Sequence, residues 1–271
     1  MTTLPAFEGI DNFRDFGGYP TRHGRPLKRG RLLRSASHGR ASDTDLEALD
    51  SLGLEVIVDL RRKSERERDP SRRPHGFTGV VIVNDEEDNP DSWWAHVSTS
   101  DLSPESFRDY MLDYYRAAPF EARHIDLFQR YFEALEGATG PVLIHCAAGK
   151  DRTGLLAALT HHVSGVHPDD IMADYLLTNA AARIDARTPH MTVMIEETIG
   201  RRPSEDWVRV ALSVEAAYLE TALAEITAAH GDLDAYLESV IGLTQGRREA
   251  LAARLLEEAT PAASGSGIPA A

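Results

Sequence analysis

The chain has 271 residues, 42% of them hydrophobic and 27% charged, which is ordinary for a globular protein and enough for a substantial core. A formal net charge of -14 repels phosphate backbones and anionic bilayers at long range, so no nucleic-acid partner and no stable membrane insertion are expected, and any anionic ligand needs strong local donors. One cysteine rules out an intrachain disulfide, no stretch approaches the roughly 18 apolar residues of a membrane span, and residues 1–18 hold no apolar signal core; a cytoplasmic location is expected, with export by a route lacking such a signal left open.

Residues 9–31 are rich in Gly, Pro, Asn and Asp, carry turn signals at Gly17-Gly18 and Tyr19-Pro20, and feed a short strand at 31–34. Ser42 can cap a helix through Leu46, Leu49 and Leu52 to Gly53, and Val56-Ile57-Val58 is a buried strand ending at Asp59. Residues 61–73 hold seven basic side chains against three acidic ones. Charge runs of this kind face water, with Arg61 beside the strand end as the expected exception and a landing patch for an anionic substrate as the alternative. Val80 to Val83 reads as another strand, followed by an acidic turn over 84–90. Trp93 and Trp94 come next, on a loop or short helix, as core anchors or loop cover rather than a ligand platform.

Helical spacing covers 105–118 and 121–135, divided by Pro119, before a strand from Val142 to Cys146. A Leu- and Ala-rich helix over 152–164 stops at Gly165, and Pro168 opens a second, with Asp169 and Asp170 near its start. Trp207, Val210, Ala211, Val214, Tyr218 and Thr221 form one stripe and Leu212, Leu219, Leu223 and Ile226 another, as on a single helix apolar on more than one face. Helices at 232–240 and 244–258 precede a Ser/Gly tail, 261–271, expected to be disordered. Strands separated by helices predict an α/β fold: a central, largely parallel sheet flanked by helices, with a helical C-terminal part, in a single domain over 1–260. Ligands of such sheets bind at the carboxyl ends of strands, where Cys146 lies.

The stretch His145-Cys146-Ala147-Ala148-Gly149-Lys150-Asp151-Arg152-Thr153-Gly154 carries the chemistry. A strand ending in a thiol, a loop of small residues and a helix start supply what a phosphate monoester needs. Loop N–H groups and the helix N-terminus converge on a tetrahedral dianion, and Ala147, Ala148 and Gly149 let the backbone close around it. Arg152 can clamp two phosphate oxygens, Cys146 can attack phosphorus as a thiolate, and Thr153 can donate to the sulfur as it leaves. His145 fits a loop-ordering role. A Walker loop would need Gly where Ile144 stands and Ser or Thr at Asp151; His161-His162 with one cysteine gives no zinc site; no Gly-x-Ser-x-Gly elbow has the required form. No cofactor or metal is expected. The proton for the leaving group can come from Asp151 inside the loop or from Asp85 after a strand, with Asp88 and Asp91 as weaker alternatives, and the residues leave that choice open.

Residues 145–154 resemble the signature of the cysteine-based protein-tyrosine phosphatase superfamily, and Gly149 to Gly154 resembles its atypical bacterial branch, related to the mycobacterial secreted tyrosine phosphatase B. Asn12-Phe13-Arg14-Asp15 with Gly17-Gly18, Arg31 to Ser35, Asp59-Leu60-Arg61, and Asp174-Tyr175-Leu176 followed by Asn179 extend the resemblance over residues 8–258. It implies a phosphatase fold, a phosphocysteine on Cys146, Arg152 as clamp, and specificity reaching from phosphotyrosine to phosphoserine/threonine and phosphoinositides, with Lys150 accommodating a second anionic group. It also implies a helical lid, for which 181–215 with Met191 and Met194 is the candidate here. The Trp-Pro-Asp acid loop of many relatives is missing.

Overall fold

The computed structural model describes residues 5–86 and 92–258; Asp88, Asp91 and the tail at 261–271 lie outside them. Among the described residues, five short strands build the sheet: β1 (Arg14–Asp15), β2 (Leu32–Ser35), β3 (Val56–Asp59), β4 (Val80–Ile82) and β5 (Val142–His145). Their spatial order is β1-β2-β5-β3-β4, parallel throughout except for antiparallel β1 at the edge. β5 is central, its His145 in register with Ser35 on one side and Asp59 on the other. Every residue of β2, β3 and β5 is buried, as in a parallel sheet covered on both faces. The strand at 31–34 appears one residue later, and β1 is an addition; two residues give no alternating pattern to read.

The helices are α1 (Asp43–Ser51), α2 (Lys63–Arg68), α3 (Ser92–Thr99), α4 (Pro104–Ala117), α5 (Ala122–Gly137), α6 (Asp151–Val163), α7 (Pro168–Leu176), α8 (Thr178–Ala181), α9 (Ile184–Ile199), α10 (Glu205–Leu212), α11 (Ala216–His230), α12 (Leu233–Ser239) and α13 (Gln245–Leu255). Side chains alternate across the sheet. Leu33, Ile57 and Leu143 turn to one face, where they pack with Leu49 of α1 in a small core. Leu32, Val56, Val58, Val142 and Ile144 turn to the other, into a far larger core built with α4 to α7 and α10 to α13. No helix among the described residues is long and apolar enough to cross a membrane.

One expectation needs correction. The stripes from Trp207 to Ile226 belong to two helices, not one: Ser213 is extended (φ -92°, ψ 176°) and separates α10 from α11. The break is fixed by tertiary hydrogen bonds. Asn179 accepts from the Val214 N–H at 2.8 Å and donates to the Val214 carbonyl at 2.9 Å, taking the place of helical partners for that residue. Nothing in the apolar spacing marks it, because Val214 is buried and continues the stripe of Trp207, Ala211 and Tyr218.

Candidate active site

The end of β5 runs into Cys146, which is 2% exposed, and α6 begins at Asp151 without a side-chain cap. The loop between them is pinned from outside. The Ser37 N–H donates to the Ala147 carbonyl at 3.0 Å, Asn12 Nδ2 to the carbonyls of Ala148 at 3.2 Å and Gly149 at 2.7 Å, and Arg34 Nη2 to Gly149 at 3.0 Å. In a trans peptide the C=O and N–H point in opposite directions. Pinning three oxygens outward therefore turns the N–H groups of Ala148, Gly149 and Lys150 inward, where no acceptor among the described residues meets them. Gly149 has φ +67°, and a Cβ there would lie 2.4 Å from the Ser35 carbonyl oxygen, so only glycine fits. The result is a concave row of free donors at a helix N-terminus, an anion-binding arrangement.

This loop floors a cavity of about 220 Å³. Cys146, Ala147, Ala148, Lys150, Asp151 and Arg152 line its bottom; Trp93, Phe107, Tyr110, Tyr114 and Met191 form its walls; Arg62, Arg68 and Arg123 add positive charge. Trp93 is thus a cavity wall as well as an anchor, stacked on Trp207 with ring centroids 5.7 Å apart. The charge-rich segment divides likewise. Arg61 is buried against Asp59 (2.8 Å), while Arg62, Glu65 and Arg68 face the cavity.

Arg152 lies beside the thiol in the cavity, its Nη2 donating to Glu65 Oε1 at 2.8 Å and its Nη1 to Glu65 Oε2, a two-pronged pair. Burial works against the Glu65 charge, but the adjacent guanidinium and its hydrogen bonds overcome this and hold the carboxyl at about 2. Sequence reasoning passed over Glu65. The available signal was its place in the first turn of α2, after the carboxyl end of β3 and next to the central strand, where it also accepts from the Arg62 N–H at 2.8 Å.

The structure separates the two candidate proton donors. Asp151 lines the cavity and accepts from Tyr115 Oη at 3.0 Å; Tyr115 in turn lies 2.7 Å from Tyr175 Oη, and burial together with the Asp151 charge pushes the Tyr115 phenol well above its usual range. Asp85 is elsewhere. It pairs with Arg66 in a shallow depression with Lys63 and Glu67, its side chain 72% exposed, and it does not line the cavity of Cys146. Lys150 is 4% exposed, its ammonium bound to the carbonyls of Ala211 at 2.7 Å and Ser213 at 3.0 Å. Thr153 is fully buried and its Oγ1 has no hydrogen-bond partner among the described residues. His145 is buried, stacked on His38 with centroids 4.6 Å apart, and its Nε2 lies 3.6 Å from Asp59; burial lowers its basicity against the pull of that carboxylate. Of the proposed lid, Met191 and Ala211 reach the cavity, while Met194 packs against the core.

A thiol beneath free backbone donors, with a guanidinium and a carboxyl group in the same cavity, can hold a tetrahedral oxyanion and support displacement at its centre. The chain belongs to the tyrosine phosphatase family, whose profile matches residues 5–257. It is 33% identical to a Cupriavidus necator protein assigned as a tyrosine-protein phosphatase, over 87% of this chain and 83% of that one. It is 31% identical to the triple specificity protein phosphatase PtpB of Mycobacterium tuberculosis, over 88% and 93% respectively. A looser likeness, at 18% identity and a TM-score of 0.30, links 68% of the chain to 86% of TpbA from P. aeruginosa. The protein is accordingly an enzyme, a phosphatase of the phosphotyrosine type with a phosphorylated substrate.

Proposed function

We propose that hydrolysis proceeds through a phosphocysteine on Cys146. The thiolate attacks phosphorus; the P–O bond to the leaving group breaks as Asp151 gives that oxygen its proton. Water then attacks the phosphocysteine, Asp151 takes the water's proton, and the S–P bond breaks to regenerate the thiolate. Arg152 and the inward N–H groups hold the equatorial oxygens in both steps. Thr153 Oγ1, buried without a partner, is the donor to the departing sulfur. The observation that carries this reading is the free row of loop donors directly above Cys146.

Aromatic walls from Trp93, Phe107, Tyr110 and Tyr114 suit a planar aryl phosphate, so phosphotyrosine is the proposed substrate. Residues 181–215 act as a cover, carrying Met191 and Ala211 to the cavity, within one domain over 1–260. The single thiol fits a reducing, cytoplasmic compartment, and the charge of -14 disfavours a nucleic-acid partner. The test is to quench turnover of a phosphotyrosine peptide in acid and search for phosphate on Cys146 by mass spectrometry. A phosphorylated Cys146 peptide is expected, and none from Cys146→Ser; full activity of the serine variant overturns the mechanism.

A second reading keeps the chemistry and changes the substrate to a small phosphomonoester or a phosphoinositide. Arg62, Arg68 and Arg123 around the cavity favour it, since they supply charge for a second anionic group. A panel of phosphopeptides, sugar phosphates and soluble phosphoinositides, ranked by kcat/KM, decides; a preference for phosphopeptides by orders of magnitude rejects it.

A further inference from the structure

The two side chains that hold the Gly149 carbonyl, Asn12 and Arg34, are themselves joined behind the loop. Arg14 donates to Asn12 Oδ1 through Nη1 and to Asp174 Oδ1 through Nε at 3.4 Å; Arg34 Nη1 donates to Asp174 Oδ2 at 2.7 Å. The path from the Gly149 oxygen through Asn12, Arg14, Asp174 and Arg34 returns to the same oxygen and closes a ring. Its parts come from four places in the chain: the segment before β1, β1, β2 and α7. Arg34, Asn12 and Asp174 are each at most 2% exposed and the Arg14 side chain 12%, so the ring is largely shielded from water.

The ring is held together at a backbone cost. Asn12 has φ +56°, a left-handed conformation uncommon outside glycine, though asparagine adopts it more readily than most. Here its N–H donates to the Ala181 carbonyl at 3.0 Å while its side chain reaches the loop. The Asp174 carboxyl, disfavoured as an anion by burial, is held ionised by Arg34 and Arg14. Two guanidinium groups and one carboxylate leave an excess positive charge behind the loop, the sign an incoming phosphoryl group needs.

We infer that Asn12, Arg14, Arg34 and Asp174 are positioning residues of the phosphatase reaction: their closed ring sets the Gly149–Lys150 peptide and so aims the Lys150 N–H at the phosphoryl group. The inference rests on the phosphate-loop reading above. None of the four touches the substrate; they act through the peptide they hold. A ring differs from four separate supports because opening it at one member releases the rest, so losses from two openings do not add.

The experiment compares wild type, Asn12→Gly, Asp174→Asn and the double variant. Inorganic phosphate binding is read by calorimetry, kcat and KM on an aryl phosphate by steady-state kinetics, and the fold by thermal melting. Glycine accepts the positive φ at position 12 and removes the side chain that reaches the loop. Asn12→Gly is expected to melt within a few degrees of wild type, yet to lose about tenfold or more in phosphate affinity and about 10- to 100-fold in kcat. The double variant is expected to bind phosphate no more weakly than the worse single. Wild-type phosphate affinity in Asn12→Gly overturns the inference, as do losses that multiply in the double. Should Asp174→Asn fail to fold, Arg34→Lys replaces it in the pair, with the same two outcomes. A wild type that binds phosphate without turning over aryl phosphates sinks the catalytic reading instead, and the phosphate affinities still judge the ring.

Discussion

The loop from Cys146 to Arg152 has one side toward the protein interior, where its carbonyl oxygens are held, and another toward the cavity, where its N–H groups are free; these inner and outer sides are built on opposite plans. On the inner side Asn12, Arg34 and Asp174 are almost wholly shielded from solvent and spend their hydrogen bonds on the loop and on one another. On the outer side Trp93, Tyr110, Tyr114 and Met191 wall a cavity whose lining also includes charged side chains, Asp151 and Arg152 among them. The inner partners come from the segment before β1, from β2 and from α7, whereas the outer wall comes from α3, α4 and α9. Burial without water leaves a polar network one low-energy arrangement. The inner side thus fixes the conformation of the loop, while the outer side presents Cys146, Asp151 and Arg152 together with the walls that meet a substrate.

Arg152 lies where the two sides meet, and replacing it gives the largest expected effect. Arg152→Lys keeps the charge but loses the two-pronged geometry that a phosphoryl group and Glu65 both require. We expect kcat to fall about 1000-fold, measured on a phosphotyrosine peptide, with melting temperature little changed. A fall of under tenfold would mean that the backbone donors alone hold the transition state and that the inner side outweighs its rim.

Asp151 is next. Asp151→Asn removes the proposed proton donor while keeping an acceptor for Tyr115. The expected loss in kcat is about 100-fold for phosphotyrosine, whose leaving phenolate is strongly basic, and under about tenfold for p-nitrophenyl phosphate, whose leaving group needs little protonation. Equal losses on both substrates would assign Asp151 to loop structure, on the inner side of the comparison.

How much of this was legible in the sequence follows the same division. Cys146, Gly149 and Arg152 stand within a few residues of one another, so the loop and its chemistry could be read as a motif, and β5 announced itself as an apolar run. Asn12, Arg14, Arg34 and Asp174 also stood out as matching segments, but their joint purpose depends on bringing together positions up to 162 residues apart. Glu65 lay hidden in a charge run whose ordinary fate is solvent exposure. Trp93 read as a core side chain because stacking on Trp207 and lining a cavity make the same demand on composition. The break at Ser213 was invisible because it is imposed by Asn179, outside the segment it divides.

Glu65 offers a smaller effect and a pH signature. Glu65→Gln leaves Arg152 without its ionic partner, and we expect kcat/KM to drop about 10- to 100-fold through loss of orientation. The folded carboxyl titrates at about 2, below its ordinary value of 4.5. A depressed carboxyl contributes stability that is present above about 4.5 and is lost as pH falls toward 2. Denaturant melts of wild type across that window should therefore show a loss that Glu65→Gln lacks. Parallel curves would mean that the pair contributes nothing to folding and serves the cavity alone.

The smallest effect belongs to Asp85, and its smallness is informative. Asp85 follows β4 in sequence, as an acid approaching from beside the loop would, yet its carboxylate turns to Arg66 and is open to solvent rather than to the cavity. A solvent-facing ion pair of this kind contributes little to stability, so Asp85→Asn should leave the fold intact and test the chemistry alone. We expect kcat on a phosphotyrosine peptide to stay within about twofold of wild type and the pH–rate profile to keep its shape. A loss matching that of Asp151→Asn, again larger for the more basic leaving group, would move the proton donor to the segment after β4. The acid would then come from a separate segment rather than from the loop, and Asp151, though it lines the cavity, would be left to loop structure.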